Sequence, residues 1–254
     1  MSGATFGRYE LKYFLPFDKI NELIQWSTPY LVPDIHAQPG SNARPHYLVQ
    51  SVYFDTTTLR LYKEKLDGIR NRSKFRVRSY DAVPGPDAPV FVEIKNRRDT
   101  QVIKERVALP LAQVADVLFN GLRLDDLALN SYQRKPLERF LYCYQTAELA
   151  PVVTVLYDRM PFTCREDKQV RLTIDTNLYY CDQRGAAVLF APRVKAPVPL
   201  PGAILELKFD RLMPLWMREL VRRFDIRQQS ISKYCYCVDA AVFNTFEKIE
   251  HADH

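Results

Sequence analysis

Much that would announce an activity is absent from this chain. No window approaches the roughly 18 consecutive apolar residues of a membrane span. The opening Met-Ser-Gly-Ala-Thr-Phe-Gly-Arg lacks the basic-then-apolar pattern of a signal peptide, so the expected location is cytoplasmic. The five cysteines (Cys143, Cys164, Cys181, Cys235, Cys237) are scattered, odd in number and include no C-x-x-C pair; free, reduced thiols are expected. With four histidines, two of them among the last four residues, a Cys/His zinc site is not expected. No G-x-x-x-x-G-K-S/T and no G-x-G-x-x-G occurs, which removes a P-loop or protein-kinase site at the level of motif. There is no internal repeat, low-complexity tract or Gly/Ser linker. A single domain over 1–254 is expected, with its core at about 6–246 and a frayed tail from Glu247 to His254.

What is present is a globular composition, 47% hydrophobic and 26% charged, over 254 residues. Thirty-six Lys+Arg against 30 Asp+Glu leave +6, which leans toward an anionic partner without naming one.

The most informative stretch runs from Ser73 to Val107. It reads S-K-F-R-V-R-S-Y, a Pro/Gly/Asp turn, F-V-E-I-K-N-R-R, a polar break, and V-I-K-E-R-V. In an extended chain, residues two apart share a face. Lys74, Arg76 and Arg78 therefore oppose Phe75 and Val77; Glu93, Lys95 and Arg97 oppose Val92 and Ile94; Lys104 and Arg106 oppose Ile103 and Val107. The tight turns at 82–89 and 98–101 favour antiparallel pairing.

The same alternation predicts strands at Arg8–Leu15, His46–Asp55, Pro151–Pro161, Lys168–Leu178 and Ala203–Phe209. Helical spacing marks Lys19–Trp26, with Asp18 as N-cap, then Thr56–Leu66, Leu111–Phe119, Lys135–Tyr144 with Pro136 in its first turn, Pro214–Phe224 and Ser232–Phe246. Residues 35–45 and the proline-rich 192–202 read as irregular connections.

Collecting the charged faces gives Arg8, Lys12, Lys74, Arg76, Arg78, Lys95, Arg97, Lys104, Arg106, Arg159, Arg171 and Lys208, set against Glu10, Glu93, Asp175 and Glu206. One wet face of an antiparallel sheet accounts for any single strand. Seven cations on three successive strands, with Glu93 alone among them, repel one another unless an anion sits there. If the apolar sides turn outward under the helices, the cations line a tunnel. Arg forks and Lys point charges suit phosphate chains. Nucleic acid is a poorer match, because Tyr80, Phe91 and Tyr157 form no evident stacking platform in the sequence. Phosphoryl transfer also needs a divalent ion held by few carboxylates. Glu206, in I-L-E-L-K-F, is the first candidate, with an ion pair to Lys208 or a nearby arginine as its alternative role. Lys233, in I-S-K-Y, stands where it can cap the mouth.

In order, R-Y-E-L-K-Y, S-V-Y-F-D-T, L-Y-K-E-K-L, K-F-R-V-R-S-Y, F-V-E-I-K-N-R, I-K-E-R-V, Y-D-R, R-L-T-I-D, I-L-E-L-K-F and S-K-Y resemble the VTC-type polyphosphate polymerase domain. That domain belongs to the triphosphate tunnel metalloenzymes, or CYTH superfamily. The resemblance implies an α+β fold whose eight antiparallel strands close into a tunnel with a charged interior. It implies an enzyme, a phosphotransferase that moves the γ-phosphate of ATP onto polyphosphate and releases ADP, with Mn²⁺ or Mg²⁺. It assigns phosphate-binding, catalytic roles to Lys12, Arg76, Arg78, Lys95, Lys104, Arg159, Arg171 and Lys233, a neighbouring phosphate contact to Ser232, and the metal to Glu206. Lys65 and Lys208 are added as substrate-binding residues.

Two departures stand out. Hydrolytic members of the superfamily begin E-x-E-x-K, where this chain has Arg8-Tyr9-Glu10-Leu11-Lys12. Loss of that first carboxylate favours polymerisation over hydrolysis. Lys65 replaces an arginine of the L-Y-K-x-R-L pattern, keeping charge but not the bidentate fork. Eukaryotic members carry a phosphate-sensing helical domain and membrane spans; this sequence holds neither, so a stand-alone form without vacuolar translocation is expected. The competing readings are a tunnel triphosphatase that hydrolyses triphosphate or polyphosphate, and a non-catalytic polyphosphate-binding module.

Overall fold

The alternation in sequence becomes an antiparallel sheet with helices on its apolar side. A computed structural model describes residues 8–39, 45–99, 101–191 and 193–243. The strands are β1 (Arg8–Leu15), β2 (Leu31–Pro33), β3 (Gln38–Pro39), β4 (Pro45–Asp55), β5 (Arg72–Ser79), β6 (Pro89–Arg98), β7 (Gln101–Pro110), β8 (Ala150–Cys164), β9 (Arg171–Asp182), β10 (Ala196–Pro197) and β11 (Ala203–Asp210). The α-helices are α1 (Ile20–Ser27), α2 (Arg60–Leu66), α3 (Leu111–Phe119), α4 (Ser131–Thr146), α5 (Leu215–Arg223) and α6 (Lys233–Val238).

Strand order along the hydrogen-bonded path is β1-β11-β9-β8-β4-β5-β6-β7, with β2, β3 and β10 as short side pairings. The expected closed barrel is not what these hydrogen bonds form: the path has two ends, β1 and β7. At β1 the segment before α6 approaches, through the Tyr13–Gln228 bridge and Gln229 N–H donating to the Lys12 carbonyl at 2.8 Å. The α+β class itself holds, as a large antiparallel sheet with six α-helices among the described residues.

The chain forms two compact units, one of residues 1–48, 157–178 and 199–232, the other of 49–156, 179–198 and 233–254. In the first, Leu15, Leu172, Ile174, Leu205 and Leu207 on the strands pack with Leu23 of α1 and Met217 and Leu220 of α5, all fully buried. Each such side chain contributes about 2 kcal/mol of burial. In the second, Phe75, Val77, Val92, Ile94 and Val107 face α3 and α4, and Phe140 of α4 meets Phe54 and Phe75 edge-on. In each unit the apolar alternation goes under helices and leaves the charged alternation on the other face.

Local chemistry shifts several boundaries. Helix α4 begins at Ser131, because Asn130 and Gln133 form a capping box, so Pro136 lies inside the helix rather than in its first turn. Asp18 caps nothing: it sits in a 3₁₀ turn, Phe17–Lys19, and α1 starts without a side-chain cap. Strand β9 begins three residues later than expected, because Val170 N–H closes a turn onto the Asp167 carbonyl. The connection at 192–202 includes the short strand β10, which pairs with β9. Helix α6 gives way to a π turn over Asp239–Phe243. The remainder of that expected helix, the tail from Glu247, residues 40–44 of the first loop and the Arg8 side chain lie outside the described residues.

Candidate functional site

In the second unit the register turns the sequence alternation into rows. Tyr53, Arg76, Glu93 and Arg106 are successive cross-strand partners over β4, β5, β6 and β7. On one side lies the row Lys74–Lys95–Lys104, and on the other Ser51–Arg78–Phe91. At the centre is Glu93, 1% exposed. Its Oε2 stands 2.6 Å from Arg76 Nε and 3.8 Å from Arg78 Nε; its Oε1 stands 2.6 Å from Lys104 Nζ and 3.4 Å from Arg106 Nε. One carboxylate thus gathers four cations. Burial pushes the Glu93 carboxyl up, but Arg76, Arg78 and Lys104 outweigh it and hold it well below the usual range. Lys104 is pulled down to about 8 by loss of water, reinforced by Arg76 and Arg78 against the opposing pull of Glu93.

Arg76 is anchored at a second point, donating from Nη1 to the Tyr53 hydroxyl at 2.7 Å, and Arg78 Nε donates to Ser51 Oγ at 3.2 Å. Tyr53 stacks on Tyr234 of α6, ring centres 4.9 Å apart. The Tyr234 hydroxyl donates to Asp55 Oδ2 at 2.6 Å, and Asp55 also accepts from the backbone N–H groups of Thr56, Leu61 and Tyr62. A fully buried carboxylate therefore fastens α2, β4 and α6 together behind Arg76. Lys233 opens α6 close enough for its charge to act on Tyr53, together with the larger effects of Arg76 and Arg78.

In the first unit a second carboxylate cluster forms where β1 and β11 place Glu10 opposite Lys208 and Lys12 opposite Glu206. Glu206, 4% exposed, stands 3.3 Å from Lys208, 3.5 Å from Arg159 and 3.9 Å from Lys12. The ion-pair role is therefore present. Arg159 is also forked onto Asp175, with both bonds at 2.7 Å. Burial pushes Glu206 up, yet Lys208, a side-chain hydrogen bond with Glu10, Lys12 and Arg159 bring it well below the ordinary value. Lys12 Nζ donates as well to the Ile231 carbonyl, one residue before the buried Ser232.

The donor set in this cluster fits a hard divalent ion. Glu10 and Glu206 both face Lys12 and Lys208, so two carboxylates lie within reach of the same cations. Thr173, directly opposite Glu206 on β9, has a buried Oγ1 with no hydrogen-bond partner. Among the described residues no group of three or more His/Cys/Asp/Glu gathers as a self-sufficient metal cage. One or two carboxylates completed by phosphate oxygens and water is the arrangement Mg²⁺-like ions take.

Of the residues marked from sequence, Arg76, Arg78 and Lys104 come together on Glu93, with Lys95 half-buried in the adjoining row. Lys12, Arg159 and Lys208 come together on Glu206. Arg171 is exposed, opposite Lys208, and its Nε donates to the Lys168 carbonyl at 3.4 Å. Lys65 stands apart from the strand rows, in the last turn of α2, where a cation suits the helix dipole. Sequence reasoning passed over Tyr53, Asp55 and Tyr234, whose roles depend on contacts across β4 and α6; the run V-Y-F-D offered the residue types but not the partners. The aromatic pair it discounted does exist: Tyr80 and Phe91 meet at 5.6 Å.

Basic faces built around buried carboxylates thus lie on antiparallel strands backed by helices. Residues 7–242 match the VTC domain, and the chain belongs to that family. It is 25% identical over 275 residues to the Vacuolar transporter chaperone complex subunit 4 of Trypanosoma cruzi, covering 93% of this chain and 34% of that protein. The subunit of the same description in Trypanosoma brucei brucei is 24% identical over 274 residues, again with 93% and 34% covered. The chain therefore spans about a third of the length of these relatives. Among solved structures, a candidate adenylate cyclase of Bacillus halodurans shares the fold, with a TM-score of 0.50, 14% identity, and 89% of this chain and 95% of that one covered. Among the described residues no helix is long and apolar enough to cross a membrane.

Proposed function

We propose that this domain is a polyphosphate polymerase, transferring the γ-phosphoryl group of ATP to the end of a phosphate chain with release of ADP. The observation that carries the reading is the Glu93 cluster. Four cations face one buried carboxylate, an excess of charge that a sheet open only to water would disperse and a polyanion neutralises. Membership of the VTC family supports the same substrate class.

The acceptor phosphate is already anionic, so no strong general base is required. The work falls to positioning and charge neutralisation. Arg76 is fixed in direction by Glu93 and Tyr53, and Arg78 by Ser51. Lys95, Lys104 and Lys233 add compact charge in the second unit; within the first unit, Lys12, Arg159, Arg171, Lys208 and Ser232 are the residues proposed to contact phosphate. Glu206 with Glu10 would hold a manganese or magnesium ion, and that ion would supply positive charge for phosphate oxygens. Lys65, on its helix, is the least placed of these residues to touch the chain.

Incubation of purified protein with ATP and Mn²⁺ should produce a ladder of phosphate polymers on a gel. Arg76→Ala should abolish the ladder while the circular dichroism spectrum is retained. An active Arg76→Ala protein defeats the assignment. Orthophosphate release from tripolyphosphate without chain growth from ATP would assign the hydrolase instead, and tight polyphosphate binding without turnover the silent binding module.

A further inference from the structure

On the face that carries Glu93, the strands lead in two directions. One way, the neighbouring row is entirely cationic: Lys74, Lys95 and Lys104. The other way, Arg78 lies opposite Phe91, and Tyr80, two residues beyond Arg78, continues on the same face. There the guanidinium carbon of Arg106 stands 3.5 Å from the centre of the Phe91 ring. Tyr80 meets Phe91 at 5.6 Å, edge to face, and Arg78 reaches to 6.0 Å from the Tyr80 ring. Tyr80 keeps 37% of its surface and the Arg106 side chain 35%, so both stay partly accessible to a ligand.

An inorganic phosphate chain makes no use of aromatic rings; cations alone hold it. A nucleobase does use them, since every base has a π face that stacks on tyrosine, phenylalanine or a guanidinium plane. Rows on a strand are about 7 Å apart, two residues of rise, so Tyr80 and Phe91 lie one to two rows from Arg76. A ribose and an α-phosphate bridge that interval between base and outer phosphates.

The geometry points to a nucleobase subsite: Tyr80, Phe91 and Arg106 stack the base of a nucleoside triphosphate whose outer phosphates lie on Arg76 and Arg78. This rests on the ATP-dependent reading above and adds to it the feature that distinguishes a nucleotide from a bare triphosphate.

The test is calorimetric titration of the whole chain with a β,γ-imido ATP analogue and with ribose 5-triphosphate, which lacks the base. The analogue should bind more tightly by on the order of tenfold, the worth of one base–aromatic stack. Tyr80→Leu should erase that margin while ribose 5-triphosphate affinity stays within about twofold of the unaltered chain, and Tyr80→Trp should keep the margin. Equal affinity of the unaltered protein for the two ligands overturns the subsite and leaves the polymerase reading standing. Failure of both ligands to bind overturns the polymerase reading itself. The comparison on the unaltered chain decides the matter even if Tyr80→Leu does not fold. Loss of both affinities together in a folded Tyr80→Leu protein also counts against the subsite, since it assigns Tyr80 to holding the arginines.

Discussion

Arg76 of β5 and Glu93 of β6 are direct cross-strand partners, and Arg76 Nε lies 2.6 Å from Glu93 Oε2. Glu93 is the hub on which four cations converge, so its removal tests whether the cluster is built for an added anion. Glu93→Gln leaves buried positive charge uncompensated, which costs about 3 kcal/mol when a buried partner is lost. Urea unfolding should show that loss, and tripolyphosphate should restore much of it by supplying the missing negative charge. A variant that is equally weakened with and without tripolyphosphate would show that no anion enters the cluster.

The same carboxylate sets an acid limit. Its folded-state value lies below its unfolded one, so its stabilisation is complete above the unfolded value of about 4.3 and is lost as pH falls toward the lower folded value. Stability should hold from pH 7 to pH 5 and decline below about pH 4, and the decline should be shallower in Glu93→Gln. Parallel acid profiles for the two proteins would remove Glu93 as its source.

Lys104 behaves in the opposite sense. Its folded value of about 8 lies below the unfolded lysine value of about 10.4, so its charge opposes folding, and that cost is relieved as pH rises through this window. A bound phosphate favours the charged form and should draw a proton onto Lys104. Tripolyphosphate binding at pH 8.5 should therefore take up protons, seen as a binding enthalpy that varies with the ionisation enthalpy of the buffer. Lys104→Met should remove this dependence; its persistence would assign the proton elsewhere.

Asp55 lies behind the site and should act through stability. It is fully buried and accepts from three backbone N–H groups and the Tyr234 hydroxyl. Asp55→Ala should cost about 3 kcal/mol, since several buried donors are left unpaired. A loss under 1 kcal/mol in chemical denaturation would show that other groups take over those donors.

Gly202 is constrained by space rather than by its backbone angles. A Cβ there would collide with the Leu15 carbonyl oxygen and stand 2.9 Å from its carbon, both backbone atoms that cannot swing aside. Gly202→Ala should destabilise by about 2 kcal/mol through displacement of β1 against the start of β11. An unchanged melting temperature would mean that this contact yields at no cost.

Period-two alternation by itself determined which face of each main strand is charged, because side chains on an extended backbone must alternate. Ordered motifs carried the family resemblance, and β1 and α3 have the very bounds expected of them. Other boundaries depended on which polar side chain captured a free backbone N–H. Asn130 did so for α4 and Asp55 for α2, and composition alone does not rank such competitors. Only the tertiary structure decided partners. The register set Glu93 between Arg76 and Arg106 and set Lys12 opposite Glu206, and a shift of one residue would have turned those side chains to the opposite face. It also brought Tyr234 onto Tyr53 and Arg106 onto Phe91, contacts between distant residues whose separation along the chain leaves no periodic trace.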